Sequence, residues 1–222
     1  MGTGQLQQLE QITKLHERVT NVSKDYWMHY SNLNTWQFWV AVAFLIVPLV
    51  ALYFLIDRRK ALLIGFFGLN IHVWFHYADI FCVMHGLVTY PYKMMPFFPA
   101  SVALDTSLIP VTFMLLYQWT LNKNKNYYLY ATAYSLFLSF LFKPALITFG
   151  LFRIYKGMNY FYIFMIYVIV FVIAKWITNL FIHFQKEMRQ IDQARGADPI
   201  EATIMNSERF SIKRLFKKEK AK

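Results

Sequence analysis

The chain has 222 residues, of which 57% are hydrophobic and only 16% are charged, with a formal net charge of +11. Soluble domains usually carry about 25% charged residues, so this composition argues against an ordinary soluble enzyme. The basic charge has no nucleic-acid recognition motif beside it, and we predict no nucleic-acid partner. Several separate apolar runs of about 20 residues instead predict an all-α membrane protein, a bundle of five transmembrane helices.

Residues 1–34 are predicted to form an amphipathic N-terminal helix. Apolar side chains recur at spacings of three and four residues along one face. They are Leu6, Leu9, Ile12, Leu15, Val19 and Val22. The pattern favours a helix that lies on the membrane or on the bundle, and a short oligomerisation helix is the alternative.

Five apolar segments within residues 35–184 are predicted to cross the membrane. Their approximate bounds are 36–56, 61–88, 101–121, 127–150 and 159–184. Pro48, Pro110 and Pro144 interrupt three of these spans, and each proline removes one backbone donor from its helix. Neighbouring helices are expected to compensate for the freed carbonyl groups.

Two short features between and within these spans affect packing. Gly65 and Gly68, near the start of the second span, would allow another helix to approach closely. Residues 89–100 contain three prolines, which excludes a regular helix there. This Pro-rich segment is also aromatic, which predicts a position at the membrane interface.

Residues 185–222 are predicted to form a cytoplasmic helical and basic tail. The basic side chains interleave with apolar ones near the end of the chain. We predict a membrane-surface anchor, attracted to anionic lipid, at Arg209, Lys213, Arg214, Lys217 and Lys218. A disordered, solubilising tail is the alternative.

The connecting segments differ in charge between the two sides of the predicted bundle. One side receives residues 58–60, Lys123, Lys125 and the basic tail, and the other receives the near-neutral N-terminus, Lys93, Arg153 and Lys156. Because basic loops are retained in the cytoplasm, we predict the N-terminus outside and the C-terminus cytoplasmic.

Charged side chains within the spans point to a functional region. Each costs about 2.5–3.5 kcal/mol at the bilayer centre on insertion scales. The four are Asp79, Asp105, Lys143 and Lys175. A rise of about 1.5 Å per residue puts the first three toward the outer face, where Lys143 is expected to meet Asp105 or Asp79. Lys175 lies toward the inner leaflet, where we expect it to bond to Asn70 or to extend to the interface.

We define the outer polar cluster as His72, His76, Asp79, His85, Asp105 and Lys143. Within it, His72, His76 and Asp79 fall at i, i+4 and i+7 and therefore share one helix face. That face is a weak candidate for a metal site or a proton relay. Hydrogen bonds across the bundle are the alternative, and we predict no cofactor.

The loop and third span carry a resemblance. Tyr90-Pro91, Pro96-Phe97 and Pro99 are followed by Asp105, Pro110 and Tyr117-Gln118. This arrangement resembles an uncharacterised family of small multi-pass integral membrane proteins from spore-forming Firmicutes, over residues 36–185. The resemblance implies a location in a bacterial plasma membrane, and it implies no catalytic residues.

Three functions are compatible with these patterns. The first is a non-enzymatic sensor, scaffold or accessory subunit with an outward-facing pocket in the outer polar cluster, with lipid, a membrane-protein partner or a second copy as its partner. The second is a small ion- or proton-coupled transporter or channel, because the spans contain ionisable groups. The third is a membrane-embedded, metal-dependent lipid hydrolase that uses His72, His76 and Asp79 to activate water. A closed network of salt bridges is the purely structural alternative.

Overall fold

The computed structural model describes residues 2–194, and helices make up most of that part of the chain. The α-helices are α1 (Thr3–Tyr30), α2 (Trp36–Leu55), α3 (Ala61–Met84), α4 (Ile109–Asn122), α5 (Tyr127–Phe137), α6 (Lys143–Thr148) and α7 (Tyr160–Ala194). Two short strands are β1 (Val88–Thr89) and β2 (Arg153–Ile154), and two π-helical turns are Leu104–Leu108 and Leu138–Phe142. The predicted anchor residues Arg209, Lys213, Arg214, Lys217 and Lys218 lie outside the described residues.

Within residues 2–194, four helices are long and apolar enough to cross a bilayer. They are Trp36–Leu55, Ala61–Met84, Tyr127–Thr148 and Tyr160–Met188. Large apolar side chains such as Phe54 and Leu62 are exposed on these helices, as lipid contact requires. The structure therefore supports a helical membrane protein and four of the predicted spans.

The predicted third span is not among those four helices. Its backbone is helical from 102 to 122, but the regular part, α4, has only 14 residues. A crossing needs about 20 residues, so the count of five is not confirmed by length and composition. The second span also ends earlier than predicted, at Met84, and α7 continues to Ala194.

The two strands form a small antiparallel sheet that the sequence did not predict. Val88 lies opposite Ile154, and Thr89 lies opposite Arg153. Just before β1, the Leu87 carbonyl accepts a hydrogen bond from the Tyr155 amide at 2.8 Å. The sheet joins the segment after α3 to the segment before α7, and we call this part of the molecule the hairpin end.

The opposite end of the helices carries two short polar turns, residues 56–60 and 123–126, which we call the basic-turn end. Gln118 Nε2 donates to the Leu55 carbonyl at 2.8 Å, and Gln118 Oε1 accepts from the Asp57 amide at 2.7 Å. Lys60 Nζ donates to Asn122 Oδ1 at 2.5 Å. The end of α4 therefore holds the turn that connects α2 to α3.

Each π-helical turn lies just before a proline. Leu104–Leu108 precedes Pro110, and Leu138–Phe142 precedes Pro144. Proline lacks the N–H that the preceding turn would use, and a π-helical turn is one way to accommodate the missing bond. Near Pro48, Ser107 donates across the helices to the Leu45 carbonyl at 2.6 Å.

Aromatic packing fills the centre of the bundle. Phe75 stacks on Tyr167 at a centroid distance of 5.1 Å, and Phe67 lies 4.4 Å from Tyr117. One of the two predicted glycines makes a close approach: a Cβ added at Gly68 would lie 2.2 Å from Met114 Sδ on α4. A Cβ at Gly65 would meet no atom within 4 Å.

The chain divides into two units, residues 1–177 and residues 178–222. The described part of the second unit is the C-terminal portion of α7. There, His183 Nε2 lies 3.2 Å from Glu187 Oε1, one helical turn away, and both side chains are exposed. The candidate functional site lies wholly in the first unit.

Candidate functional site

Tyr90 bridges two buried charges beneath the Pro-rich segment. Its hydroxyl donates to Asp79 Oδ1 at 2.8 Å and accepts from Lys143 Nζ at 3.3 Å. All three side chains are buried, and Lys143 Nζ also lies 3.9 Å from the centre of the Phe152 ring. The bridge gives both charges a hydrogen-bonding partner where water is excluded.

This bridge replaces the direct ion pair that the sequence predicted for Lys143. No carboxylate oxygen among the described residues lies within salt-bridge distance of Lys143 Nζ. Lys143 and Asp79 are nevertheless close to each other, because they share the Tyr90 hydroxyl. The partner was missed because Tyr90 belongs to the irregular segment, for which the sequence offers no helical register.

Asp105 binds two histidines of α3 from its position in the first π-helical turn. His76 Nδ1 lies 2.9 Å from Asp105 Oδ2, and His72 Nδ1 donates to the Asp105 backbone carbonyl at 2.8 Å. The two imidazole rings stack with centroids 5.8 Å apart. The predicted shared face of His72 and His76 therefore packs against the start of the third helical segment.

The remaining members of the outer polar cluster do not converge. Asp79 turns to Tyr90 instead of the histidines, and His85 is exposed and bonds to the Phe81 carbonyl at 2.8 Å. Within residues 2–194, no three His, Cys, Asp or Glu side chains are placed to hold one metal ion. The geometry therefore gives no support to a metal-activated water at His72, His76 and Asp79.

A bond between Lys175 and Asn70, one of the two predicted possibilities for Lys175, is not present in the structure. Lys175 Nζ donates to the Tyr117 hydroxyl at 2.9 Å and lies 4.3 Å from the centre of that ring. Asn70 Nδ2 instead donates to the Phe66 carbonyl of its own helix at 2.8 Å. As with Lys143, the partner of Lys175 is a tyrosine hydroxyl and not the residue that depth along the helices suggested.

A cavity of about 550 Å³ opens at the hairpin end, above Tyr90. Three separate segments contribute to it: the last turns of α1, the Pro-rich segment and the residues around β2. Its lining includes Ser23, Tyr26, Trp27, Tyr90, Tyr92, Lys93, Phe149, Arg153 and Tyr155. Six of the fifteen lining residues are aromatic, and Tyr90 joins the cavity to the buried charges.

Hydrogen bonds hold α1 over this cavity. Trp27 Nε1 donates to the Lys93 carbonyl at 2.9 Å, and Ser31 Oγ accepts from the Lys93 amide at 2.9 Å. The earlier part of α1 buries none of its residues, so the apolar stripe from Leu6 to Val22 is exposed. The structure has a helix over Thr3–Tyr30, and its hydrogen bonds to the bundle lie at its C-terminal end.

The charged side chains that line the cavity are all positive. Its lining has the two cations Lys93 and Arg153 and no Asp or Glu among the described residues. Burial lowers the pKa of Lys93, and the charge of Asp79 partly opposes this change. Burial raises the pKa of Tyr26, while nearby Arg153 lowers it.

The sequence did not predict this cavity, and its predicted pocket lies elsewhere. Asp79, Asp105 and Lys143 are at most 8% exposed, and the void beside Asp79 and Lys143 measures about 30 Å³. These three residues belong to two separate hydrogen-bonded groups, Asp79 with Lys143 through Tyr90 and Asp105 with His76, and they do not surround an open pocket. No family model, curated protein or solved structure matches this chain.

Proposed function

We propose that the protein is a five-span integral membrane protein that binds a ligand at the hairpin end and acts as a non-catalytic sensor or accessory subunit. The observation that carries this proposal is the aromatic cavity and its connection through Tyr90 to Asp79 and Lys143. A cavity of this size is in the range that binds small molecules. The outer polar cluster is then the structural support of the site instead of its lining.

Contacts at both ends of the helical segment 102–122 support five crossings. At its start, Ser101 and Ala103 line a small void together with Tyr90 and Leu151 of the hairpin end. At its end, Gln118 bonds to the turn after α2. A segment that connects the two ends of the bundle crosses the same distance as its neighbours.

The proposed orientation follows from the charge of the connecting segments. The basic-turn end carries residues 58–60, Lys123 and Lys125, and the positive-inside rule assigns it to the cytoplasm. The cavity then faces outside a bacterial plasma membrane. The basic tail would contact anionic lipid on the inner surface, and the exposed stripe of α1 would contact lipid, a membrane-protein partner or a second copy.

Tyr90 supplies the proposed coupling between ligand and bundle. Tyr90 is one of the residues that line the cavity, and its hydroxyl is the shared partner of Asp79 and Lys143. A ligand that prefers another position of this ring would weaken both buried hydrogen bonds. The difference in affinity between the two ring positions sets how far the equilibrium shifts.

A cavity-filling variant tests the proposal. In nanodiscs, thermal unfolding of the full chain is measured with phenyl phosphate, phenyl β-glucoside and phenyltrimethylammonium. We expect at least one probe to raise the unfolding temperature, because a ligand that binds only the folded state stabilises it. Ser23→Trp should abolish the shift by filling the cavity, whereas Thr20→Trp, one turn earlier on exposed α1, should retain it. No shift with any probe, or equal shifts in both variants, would contradict the proposal.

A proton-coupled transporter is the second candidate, because buried ionisable groups lie in two adjacent pairs. These are His76 with Asp105, and Asp79 with Lys143 through Tyr90. Proton flux in proteoliposomes that is lost in Asp79→Asn would favour this function. The void beside Asp79 and Lys143 has room for about one water, which makes the sensor the better supported of the two.

A further inference from the structure

The cavity at the hairpin end concentrates positive charge that the protein itself does not neutralise. Arg153 lies on β2 with an exposed side chain, and its guanidinium forms no hydrogen bond or ion pair with any described residue. Lys93 Nζ makes one hydrogen bond, to the Phe98 carbonyl at 3.2 Å. Both cations therefore keep free donors, and neither faces a carboxylate in the lining.

Arg153 and Lys93 could bind the same phosphate or carboxylate group, each in a different way. The planar guanidinium of Arg153 can bind two oxygens of a phosphate or carboxylate at once. The ammonium of Lys93 is partly removed from water, so an anion beside it would replace lost hydration. Charge-assisted hydrogen bonds from both would fix an anionic group at the rim.

The aromatic side chains of the cavity indicate the chemistry of the rest of the ligand. Tyr26, Trp27 and Tyr92 contribute aromatic surface, and their polar atoms leave the walls amphipathic. An aromatic cavity alone could also hold a quaternary ammonium group. The positive rim disfavours that occupant by like-charge repulsion, and it distinguishes this cavity from a cage for cations.

We infer that the cavity is an anion-binding site for an amphipathic phosphate or carboxylate, with Arg153 and Lys93 holding the acid group and the aromatic walls holding its apolar body. This inference rests on the proposed function, since it names the chemical class of the ligand. A free organic phosphate and the headgroup of an anionic lipid share this chemistry. The volume of about 550 Å³ accommodates either source.

The test is a binding titration of the full chain in nanodiscs of zwitterionic lipid. Phenyl phosphate is the anionic probe, and phenyl β-glucoside is the neutral one. We expect phenyl phosphate to bind at least about ten times more tightly, as one or two charge-assisted hydrogen bonds would give. Arg153→Gln should weaken the binding of phenyl phosphate by about tenfold.

Lys156→Gln is the matched control. It removes the same charge three residues further on, but Lys156 is not part of the lining and donates to the His85 carbonyl at 3.0 Å. We expect this variant to bind phenyl phosphate as the unaltered chain does. An equal loss in both variants would show a diffuse charge effect and would overturn the site.

The remaining outcomes separate this inference from the proposed function. If phenyl β-glucoside binds as tightly as phenyl phosphate, the anion site is wrong while ligand binding at the cavity stands. If neither probe binds, the anion site is wrong, and the proposed function is contradicted as well only if phenyltrimethylammonium also gives no thermal shift. A final titration in nanodiscs that contain phosphatidylglycerol identifies the source, with Arg153→Gln as the control for repulsion of the probe by the anionic surface. A loss of affinity for phenyl phosphate that is larger in the unaltered chain than in Arg153→Gln indicates competition by lipid headgroups, and an equal loss indicates a soluble anion.

Discussion

At the scale of single residues, tyrosine hydroxyls are the hydrogen-bonding partners of three charged side chains within the bundle. Lys143 shares the Tyr90 hydroxyl with Asp79, and Lys175 donates to Tyr117. A tyrosine hydroxyl can both donate and accept, so it can join a carboxylate to an ammonium. The adjacent ring face adds attraction for the cation.

The bridge through Tyr90 predicts a strong coupling between Asp79 and Lys143. Asp79→Asn and Lys143→Met should each destabilise the protein by about 3–5 kcal/mol, because each leaves one buried charge without its counterpart. The double variant should cost clearly less than the sum of the two. Reversible unfolding in mixed micelles measures the three free energies of unfolding. Additive effects would show that the two charges do not stabilise each other.

Two tyrosines near Lys175 predict opposite results for the same substitution. Tyr117→Phe removes the hydroxyl that accepts from Lys175 and should cost about 1–3 kcal/mol. Tyr127 lies in the same cluster, 5.4 Å from Tyr117 between ring centres, but its buried hydroxyl has no hydrogen-bond partner among the described residues. Tyr127→Phe should therefore be neutral or stabilising in the same unfolding measurement. Equal losses in both variants would contradict the assigned role of the Tyr117 hydroxyl.

The sequence predicted the relative depth of the buried charges along their helices, but it did not predict their hydrogen-bonding partners. Counting residues from the helix ends put Asp79 and Lys143 at similar depth, and the structure joins them. It could not find Tyr90, because depth along a helix says nothing about a side chain that enters from an irregular segment. For Lys175 it offered a bond to Asn70 or extension to the interface, and it did not consider tyrosine as a partner.

At the scale of elements, prolines and glycines decide how the helices meet. The π-helical turns before Pro110 and Pro144 carry or adjoin the buried charges Asp105 and Lys143. Such turns change the direction of the side chains that follow them, and they often lie at functional sites. The prolines were visible in the sequence, whereas the turn type that accommodates each one depends on the neighbouring helices.

Gly68 and Gly65 give a matched test of helix packing. Gly68→Ala would force its Cβ against Met114, and we expect a cost of about 1–3 kcal/mol from overpacking. Gly65→Ala meets open space in the same helix and should stabilise α3 by up to about 1 kcal/mol. The free energies of unfolding of both variants in micelles check this. A stabilising Gly68→Ala would show that Met114 moves aside at no cost.

The attachment of α1 predicts a local effect of Ser31→Ala. Ser31 Oγ accepts from the Lys93 amide and donates to the Lys93 carbonyl. Its removal should increase hydrogen exchange at the Lys93 amide by about tenfold, as the loss of one hydrogen bond allows. Ser23→Ala, also in the cavity lining but without a hydrogen bond to the segment, is the control. Unchanged exchange in Ser31→Ala would mean that Trp27 alone holds α1.

At the scale of the whole molecule, the two strands decide which ends of the helices lie together. β1 follows α3 and β2 precedes α7, so their pairing requires the chain between them to leave the hairpin end and return. The sequence predicted both connecting segments on one side from the alternation of spans. It could not predict the pairing itself, since strands of two residues have no periodic pattern to detect.

The number of crossings predicts which engineered cysteines share a side of the membrane. In a Cys82→Ala background, single cysteines replace Thr20, Arg58, Lys125 and Lys156, and intact cells are labelled with a membrane-impermeant maleimide. With five crossings, the cysteines at 20 and 156 should react from outside, and those at 58 and 125 only after permeabilisation. If the segment 102–122 does not cross, the cysteine at 125 will be on the same side as the cysteine at 20. The cysteine at 156 will then be on the same side as the cysteine at 58. The pairing of sites therefore distinguishes five crossings from four, and the side on which 20 reacts tests the orientation separately. Since Gln118 holds the end of this segment at the turn after α2, we expect 58 and 125 to behave alike.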